Sequence, residues 1–234
     1  TSVKDQPHVI KRLVVGEEYT LREEIAPYGY LKATDIKFTL EDTAEVQKVE
    51  MKDEVPTALL IINKKGEFLD KVTLLDNAKG TVEHLFEYIS GNLTKVTFEV
   101  YAAEDIKAAD GVSEDYYKAD DLVGSIITDD TGIAQLGDLP VGKYYVKEVA
   151  TDHGYVLDDE IRYVDLSYRD QDTPVVTYDE DWQNARQKVT VQVLKKEKDS
   201  DRVLKGAIFG LFTAEDIKSV SGNVLLEADE IIEQ

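Results

Sequence analysis

YTLREEIAPYGY, residues Tyr19 to Tyr30, returns as YYVKEVATDHGY, residues Tyr144 to Tyr155. A second pair interleaves with it: FEVYAAEDIK (Phe98 to Lys107) returns as FGLFTAEDIK (Phe209 to Lys218). Along the chain the order is GY, AEDIK, GY, AEDIK. If one unit carries AEDIK first and GY second, the 234 residues hold the back half of one unit, a whole unit and the front half of a third. The spacing corresponds to units of roughly 110–125 residues, and a tandem array of that kind is a stalk or a binding scaffold more often than an enzyme. The expected joints fall near Glu54-Val55-Pro56-Thr57 and between Asn184 and Gln187. They divide the chain into 1–54, 55–187 and 188–234. Neither joint is rich in Gly or Ser, so a semi-rigid rod is expected.

Composition narrows the function classes. With 48 acidic against 27 basic residues the net charge is −21, which disfavours a nucleic-acid partner, since phosphate contacts rest on Lys and Arg. Acidic clusters at Asp120-Asp121, Asp129-Asp130 and Asp179-Glu180-Asp181 lack the spacing of a calcium-binding loop, so neither metal nor cofactor is expected. There is no cysteine, which excludes disulfides and thiolate chemistry. No apolar run is long enough for a membrane helix. The three histidines, His8, His84 and His153, lie in different units and near no convergent acid or serine motif, so an enzyme acting on an external substrate is not expected.

Period-two alternation dominates. It is plain at Tyr144 and Val146, and at Val189, Val191 and Val193. Thirteen tyrosines and many valines suit half-buried pleated strands, punctuated by turns at Asp129-Asp130-Thr131-Gly132 and Leu139-Pro140-Val141-Gly142. An all-β sandwich is the expected class. Val82, Leu85, Phe86 and Ile89 fit helical spacing better than strand spacing, which leaves that stretch open between helix and strand, and the segments 103–106 and 228–233 read as possible helical turns.

Several strands run apolar, apolar, ionisable along one face: Leu60, Ile62, Lys64; Tyr144, Val146, Glu148; Tyr19, Leu21, Glu23; Val49, Met51, Asp53; and Val189, Val191, Val193, Lys195. Side chains at i, i+2 and i+4 share a face, so these charges point to the core or its rim. A rim residue reaching water and a buried ion pair both fit the pattern. So does chemistry: burial lowers a lysine pKa and raises a glutamate pKa, a neutral amine is a nucleophile, and a glutamic acid can polarise a carboxamide. Asn184, two residues after Trp182 on one face of the last predicted strand, is the candidate acceptor. Lys65 beside Lys64 leaves the register open by one; the face shared with Leu60 and Ile62 favours Lys64.

The block Tyr19-Thr-Leu-Arg-Glu23-Glu-Ile-Ala26-Pro27-Tyr-Gly29-Tyr30 resembles the YxLxExxAPxGY signature of collagen-adhesin B-type, SpaA-like domains of Gram-positive pilins and adhesins. Val193-Leu-Lys195-Lys-Glu-Lys-Asp199, followed by Leu204-Lys-Gly206-Ala207-Ile-Phe209, is similar to that family's opening VxKxD…LxGAxF. The resemblance implies tandem reverse-immunoglobulin-like (prealbumin-like) β-sandwich domains of seven strands, one complete and two partial. It also implies an intramolecular isopeptide bond between a lysine of the first strand and an Asn or Asp of the last, assisted by a Glu. Carried over, these roles fall to Lys64, Asn184 and Glu148 in the whole unit. Glu23 and Asp53 match in the first partial unit, and Lys195 in the last. Three features depart from the family pattern. Thr151-Asp152 stands where Ala-Pro is usual, Lys95-Val96 where Gly-Ala is usual, and the stretch from Lys65 to Asn92 is longer than the family's opening.

The function so implied is a stalk or backbone segment of a Gram-positive adhesin or pilin, extracellular and anchored to the cell wall. Its partners would be neighbouring domains of the same surface protein. The alternative is a module binding a host matrix protein (collagen or fibrinogen) or a glycan, which exposed aromatics would favour. Trp182, the single tryptophan, is predicted to face inward.

Overall fold

The computed structural model describes residues 6–76 and 81–234; residues 1–5, the opening of the predicted first unit, lie outside it. The fold is all-β, with no helix among the described residues. Ahead of Val55, β1 (Glu18–Leu21) pairs antiparallel with β2 (Ile36–Thr39), setting Tyr19 opposite Phe38 with ring centroids 5.9 Å apart.

The central body is built from β3 (Thr57–Asp76), β4 (Val82–Asn92), β5 (Thr97–Ala102), β6 (Leu122–Ile127), β7 (Ile133–Pro140), β8 (Gly142–Ala150), β9 (Arg162–Leu166) and β10 (Val175–Asn184). One sheet holds β3 between β10 and β7, and the other runs β6-β5-β8-β9. Alternation decides what lies between them. Leu60 and Ile62 of β3, Phe98 and Val100 of β5, Tyr144 and Val146 of β8, Val164 and Leu166 of β9, and Trp182 of β10 are all buried in one core. The Tyr144 hydroxyl donates to the Pro140 carbonyl, tying β8 to the end of β7. Seven strands make the expected sandwich, and β4 is an addition to it.

β10 lies parallel to β3, with Trp182 opposite Lys64 and Asn184 opposite Gly66. The first and last strands of the body are therefore immediate neighbours. The opposite edge of β3 is shared: β7 pairs as far as Asn63 and β4 takes over from Lys65. At the changeover Lys64 N donates to Gly132 O and Leu93 N donates to Lys64 O, each at 2.8 Å. Gly132 has φ of 76°, and a Cβ there would lie 2.9 Å from Asn92 Cβ and 3.0 Å from Lys64 O, so this crossing needs glycine.

β3 and β4 run on together past the last sandwich pairing as a two-stranded arm. The arm carries the following segment, which contains β11 (Leu211–Phe212), β12 (Ile217–Lys218), β13 (Val224–Leu226) and β14 (Ile231–Glu233). β14 extends the sheet from β4, with Glu233 opposite Glu83. Gln234 N donates to Val82 O at 3.0 Å, and Val220 N reaches Leu69 O at 2.9 Å on the arm's other edge. On the other side of the body, residues 26–32 dock on 168–171. Ala26 N donates to Gln171 Oε1 at 2.8 Å, the Tyr168 hydroxyl donates to Tyr30 O at 3.1 Å, and Tyr28 meets Tyr168 edge-on at 4.9 Å.

One open sequence reading is decided and two expectations are corrected. The stretch with helical spacing is β4: Phe86 lies opposite Val72 and His84 opposite Leu74, so cross-strand pairing overrides the local period. Residues 103–106 form bends and a bridge from Ile106 to Tyr117, and Ile231–Glu233 is a strand, so neither segment is helical. The alternating segment Val189 to Val193 forms no strand, and Lys195 beyond it is exposed. A strand's amides need a neighbouring strand, and none lies beside this one among the described residues.

Candidate functional site

At one end of the sandwich the two sheets present three polar side chains to each other. Alternation after Leu60 and Ile62 turns Lys64 inward, and alternation after Tyr144 and Val146 turns Glu148 inward from the opposite sheet. Trp182 and Asn184 share the inner face of β10. Lys64 is fully buried, Glu148 is 7% and Asn184 1% exposed. Lys65 points the other way, its Nζ donating to Asn92 Oδ1 at 2.8 Å.

Lys64 Nζ lies 2.7 Å from Glu148 Oε2. Asn184 Nδ2 donates to Glu148 Oε1 at 2.6 Å and to Thr151 Oγ1 at 2.9 Å. The Lys64–Glu148 contact is a buried ion pair. Among the described residues, the buried side-chain nitrogen and oxygen atoms left without a hydrogen-bond partner are Lys64 Nζ, Glu148 Oε2 and Asn184 Oδ1. Buried polar groups are ordinarily satisfied. Two of these atoms, Lys64 Nζ and Glu148 Oε2, are each other's ion-pair partners, so Asn184 Oδ1 is the one left with neither a hydrogen bond nor an opposite charge.

The surroundings are apolar and aromatic. Lys64 Nζ sits 5.5 Å from the centre of the Phe98 ring, and Phe98 meets Trp182 edge-on at 5.6 Å. The Arg162 guanidinium lies 4.7 Å from the Trp182 ring centre and pairs with Asp158 at 2.6 Å. Burial pushes the Lys64 ammonium below the ordinary lysine range; Glu148 and Asp158 oppose that shift and Arg162 adds to it. Burial works most strongly to raise the Asp158 carboxyl, but the hydrogen bond from Arg162, the one from Glu160 N and the nearby Arg162 and Lys64 charges together hold it below the usual range. Burial thus loosens the Lys64 proton, next to a carboxamide whose two N–H groups are held by a carboxyl oxygen and a hydroxyl.

Sequence reasoning named Lys64, Glu148 and Asn184, and the fold brings the three together. It did not name Thr151, Phe98, Arg162 or Asp158 as members of the cluster. Only Thr151 carried a signal, as the residue standing where the signature has alanine. The other three belong to the site through pairings that no local pattern encodes.

Two partial clusters flank this one. Ahead of Val55, Asp53 lies near the Glu23 carboxylate, and Glu23 Oε2 accepts from Ala33 N at 2.8 Å. Burial, with the Glu23 carboxylate adding to it, raises the Asp53 carboxyl above its ordinary value. After Gln187, Lys195 is exposed, and its carbonyl accepts from Leu204 N at 2.9 Å.

A family model described as the SpaA prealbumin-like fold domain matches residues 1–55 and 88–182. The interval it skips holds Lys64 and most of the arm, Glu148 falls within the match, and Asn184 lies two residues beyond it. No curated protein matches. Among solved structures, the Bacillus anthracis TIE protein is similar at a TM-score of 0.43 and 22% identity, over 73% of this chain and 25% of that one. The minor pilin of Streptococcus agalactiae is similar at a TM-score of 0.36 and 18% identity, over 70% and 57%. The Corynebacterium diphtheriae major pilin SpaA is similar at a TM-score of 0.35 and 16% identity, over 56% and 31%. The chain therefore spans less than two thirds of each of these structures.

Proposed function

The chain belongs to the family of SpaA prealbumin-like fold domains, and on that footing we propose that it is a stalk segment of a Gram-positive adhesin or pilus, locked by a self-formed Lys64–Asn184 isopeptide bond. The proposed units are 1–54, 55–187 and 188–234, with neighbouring domains of the same surface protein as partners. The setting is extracellular, on a cell-wall-anchored protein. The reaction occurs once per molecule and is maturation rather than turnover.

The observation that carries this reading is the burial of an amine, a carboxyl and a carboxamide in one contact, Lys64 paired with Glu148 at 2.7 Å and Asn184 hydrogen-bonded to Glu148 at 2.6 Å. In the charged pair, Lys64 passes a proton to Glu148 and becomes a neutral nucleophile. Nζ attacks Asn184 Cγ, and the Cγ–Oδ1 double bond opens to an oxyanion. Glu148 delivers its proton to Nδ2 and takes the next proton from Nζ. As the carbonyl re-forms, the Cγ–Nδ2 bond breaks and ammonia leaves, taking the proton then on Glu148 as ammonium. The balance is one lysine ammonium and one carboxamide giving one secondary amide and one ammonium ion.

A crosslink between parallel neighbours at the two ends of the unit carries tension from one strand directly to the other, past the strands between them. For a chain without cysteine, that is a physical means of resisting extension. Asp53 with Glu23, and Lys195, are proposed as the corresponding parts of crosslinks in the flanking units. Trp182, at 5% exposure, sits in the core and offers no face to an outside ligand, so it lends the binding-module alternative no support.

Intact mass with peptide mapping tests the reading. The folded protein is expected to weigh one ammonia less than its sequence, with the peptides containing Lys64 and Asn184 joined, and Glu148→Ala is expected to keep the full mass. A folded wild-type chain of unmodified mass would remove the proposal.

A further inference from the structure

We infer that Thr151 is a positioning residue for the crosslinking step, fixing which end of the Asn184 carboxamide departs. This rests on the Lys64–Asn184 reading above and concerns a residue that the three-residue mechanism does not use.

A carboxamide acceptor has two different ends. Only Nδ2 can leave, so it must face the proton carrier while Cγ stays open to Nζ. A flipped amide would place Oδ1 against the Glu148 carboxylate and offer Glu148 no leaving group to protonate. One hydrogen bond to Glu148 leaves the second N–H free. Thr151 Oγ1 takes that second N–H at 2.9 Å, so both amide hydrogens are held and the orientation is set. Thr151 follows the last residue of β8, three positions after Glu148, so the acid and the hydroxyl are delivered by one piece of backbone. The Thr151 hydroxyl proton has no acceptor among the described residues. As Cγ becomes tetrahedral, Nδ2 loses its conjugation and gains a lone pair, towards which that proton can turn.

The flanking cluster supplies an internal comparison. Three positions after Glu23 the chain has Ala26, with no hydroxyl, and the candidate acceptor there is Asp53. A protonated carboxyl group needs no such guide, because its proton moves freely between two oxygens and either can leave as water. The unit with the asymmetric acceptor has the guiding hydroxyl, and the unit with the symmetric acceptor lacks it.

Cell-free synthesis followed by intact mass against time reads the closure rate. Thr151→Ala is expected to slow ammonia loss about three- to tenfold, the range one neutral hydrogen bond carries. Thr151→Ser is expected to restore the wild-type rate. In an Asn184→Asp background, which would lose water instead, Thr151→Ala is expected to change the rate little. Closure of Thr151→Ala at the wild-type rate would overturn the assignment, as would equal slowing in both backgrounds. If the Asn184→Asp background does not close, the decision passes to Ser rescue, and a Thr151→Ser variant as slow as Thr151→Ala overturns it. A wild-type chain that never loses ammonia defeats the crosslink reading itself, whereas a closing wild type with an indifferent Thr151 defeats this inference alone.

Discussion

Lys64 and Glu148 come from opposite sheets and meet at 2.7 Å, with side chains 0% and 2% exposed. An ion pair so deep in a sandwich is costly, since desolvation of each charge opposes their attraction. Converting the amine to an amide removes the charge altogether. On the proposed reading, a site that is costly as an ion pair would be relieved by the crosslink once the core has closed around it.

Replacing both charges isolates the tie. Lys64→Met with Glu148→Leu exchanges the pair for apolar groups of similar bulk. The variant is expected to fold but to lose the constraint on a loop of about 120 residues, roughly 4–5 kcal/mol by analogy with disulfide closure. Urea unfolding of variant and wild type checks this; equal midpoints would show that no tie exists in the wild type.

In Glu148→Gln the crosslink is expected not to form, and Lys64 stays buried without its acid. Its folded-state pKa then lies below the unfolded value of 10.5, since burial is the largest cause of the shift and the opposing carboxylate is gone. Between those two values the unfolded chain binds more protons than the folded one, so stability rises with pH. Urea midpoints measured from pH 7 to 10 are expected to climb for this variant. A flat profile would mean that Lys64 reaches solvent.

Asp53 gives the opposite sign. Its folded pKa is raised above 3.8 by burial and then by Glu23. Above 3.8, and up to the raised value, the folded state holds more protons than the unfolded one, and this contribution to stability is lost as pH rises through the window. Carbon-detected NMR titration is expected to place Asp53 above the ordinary aspartate range, and Glu23→Gln to bring it part of the way back. An Asp53 titration unchanged by Glu23→Gln would separate the two carboxyls.

Gly66 lies opposite Asn184, and a Cβ on it would come within 2.6 Å of Tyr155 Cε1. Tyr155 cannot yield without losing the hydrogen bond from its hydroxyl to Glu67 O at 3.0 Å. Gly66→Ala is expected to cost about 1–3 kcal/mol as overpacking, read as a lowered melting temperature. An unchanged melting point would mean that Tyr155 moves freely.

The arm is separable from the site. Replacing residues 69–88 with an Asn-Gly turn leaves Phe68 and Ile89 to close the ribbon and keeps Lys64, Glu148 and Asn184 in place. Ammonia loss is expected to persist, while residues 188–234 become more sensitive to protease because β14 and Val220 lose their partners on the arm. Unchanged cleavage would show that the arm contributes nothing to holding that segment.

The sequence by itself determined the all-β class, the two repeated motifs and the strand face that each of Lys64, Glu148 and Asn184 shares with its apolar neighbours. The alternation Leu60, Ile62, Lys64 and its counterpart Tyr144, Val146, Glu148 fix which side chains share a face, because the period of a strand is two whatever it pairs with. The tertiary structure decided everything that depends on a neighbour. Val189, Val191 and Val193 have the clearest strand pattern in the chain and form no strand, because a ladder needs a partner. Val82, Leu85, Phe86 and Ile89 fit helical spacing and yet lie on one strand, because β3 lies beside it. The parallel adjacency of β3 and β10 puts Lys64 and Asn184 on neighbouring strands, and the second sheet adds Glu148, which touches both, and Thr151. Residues so far apart in the chain meet only when the core closes, so their distances, and the chemistry those distances allow, belong to the fold.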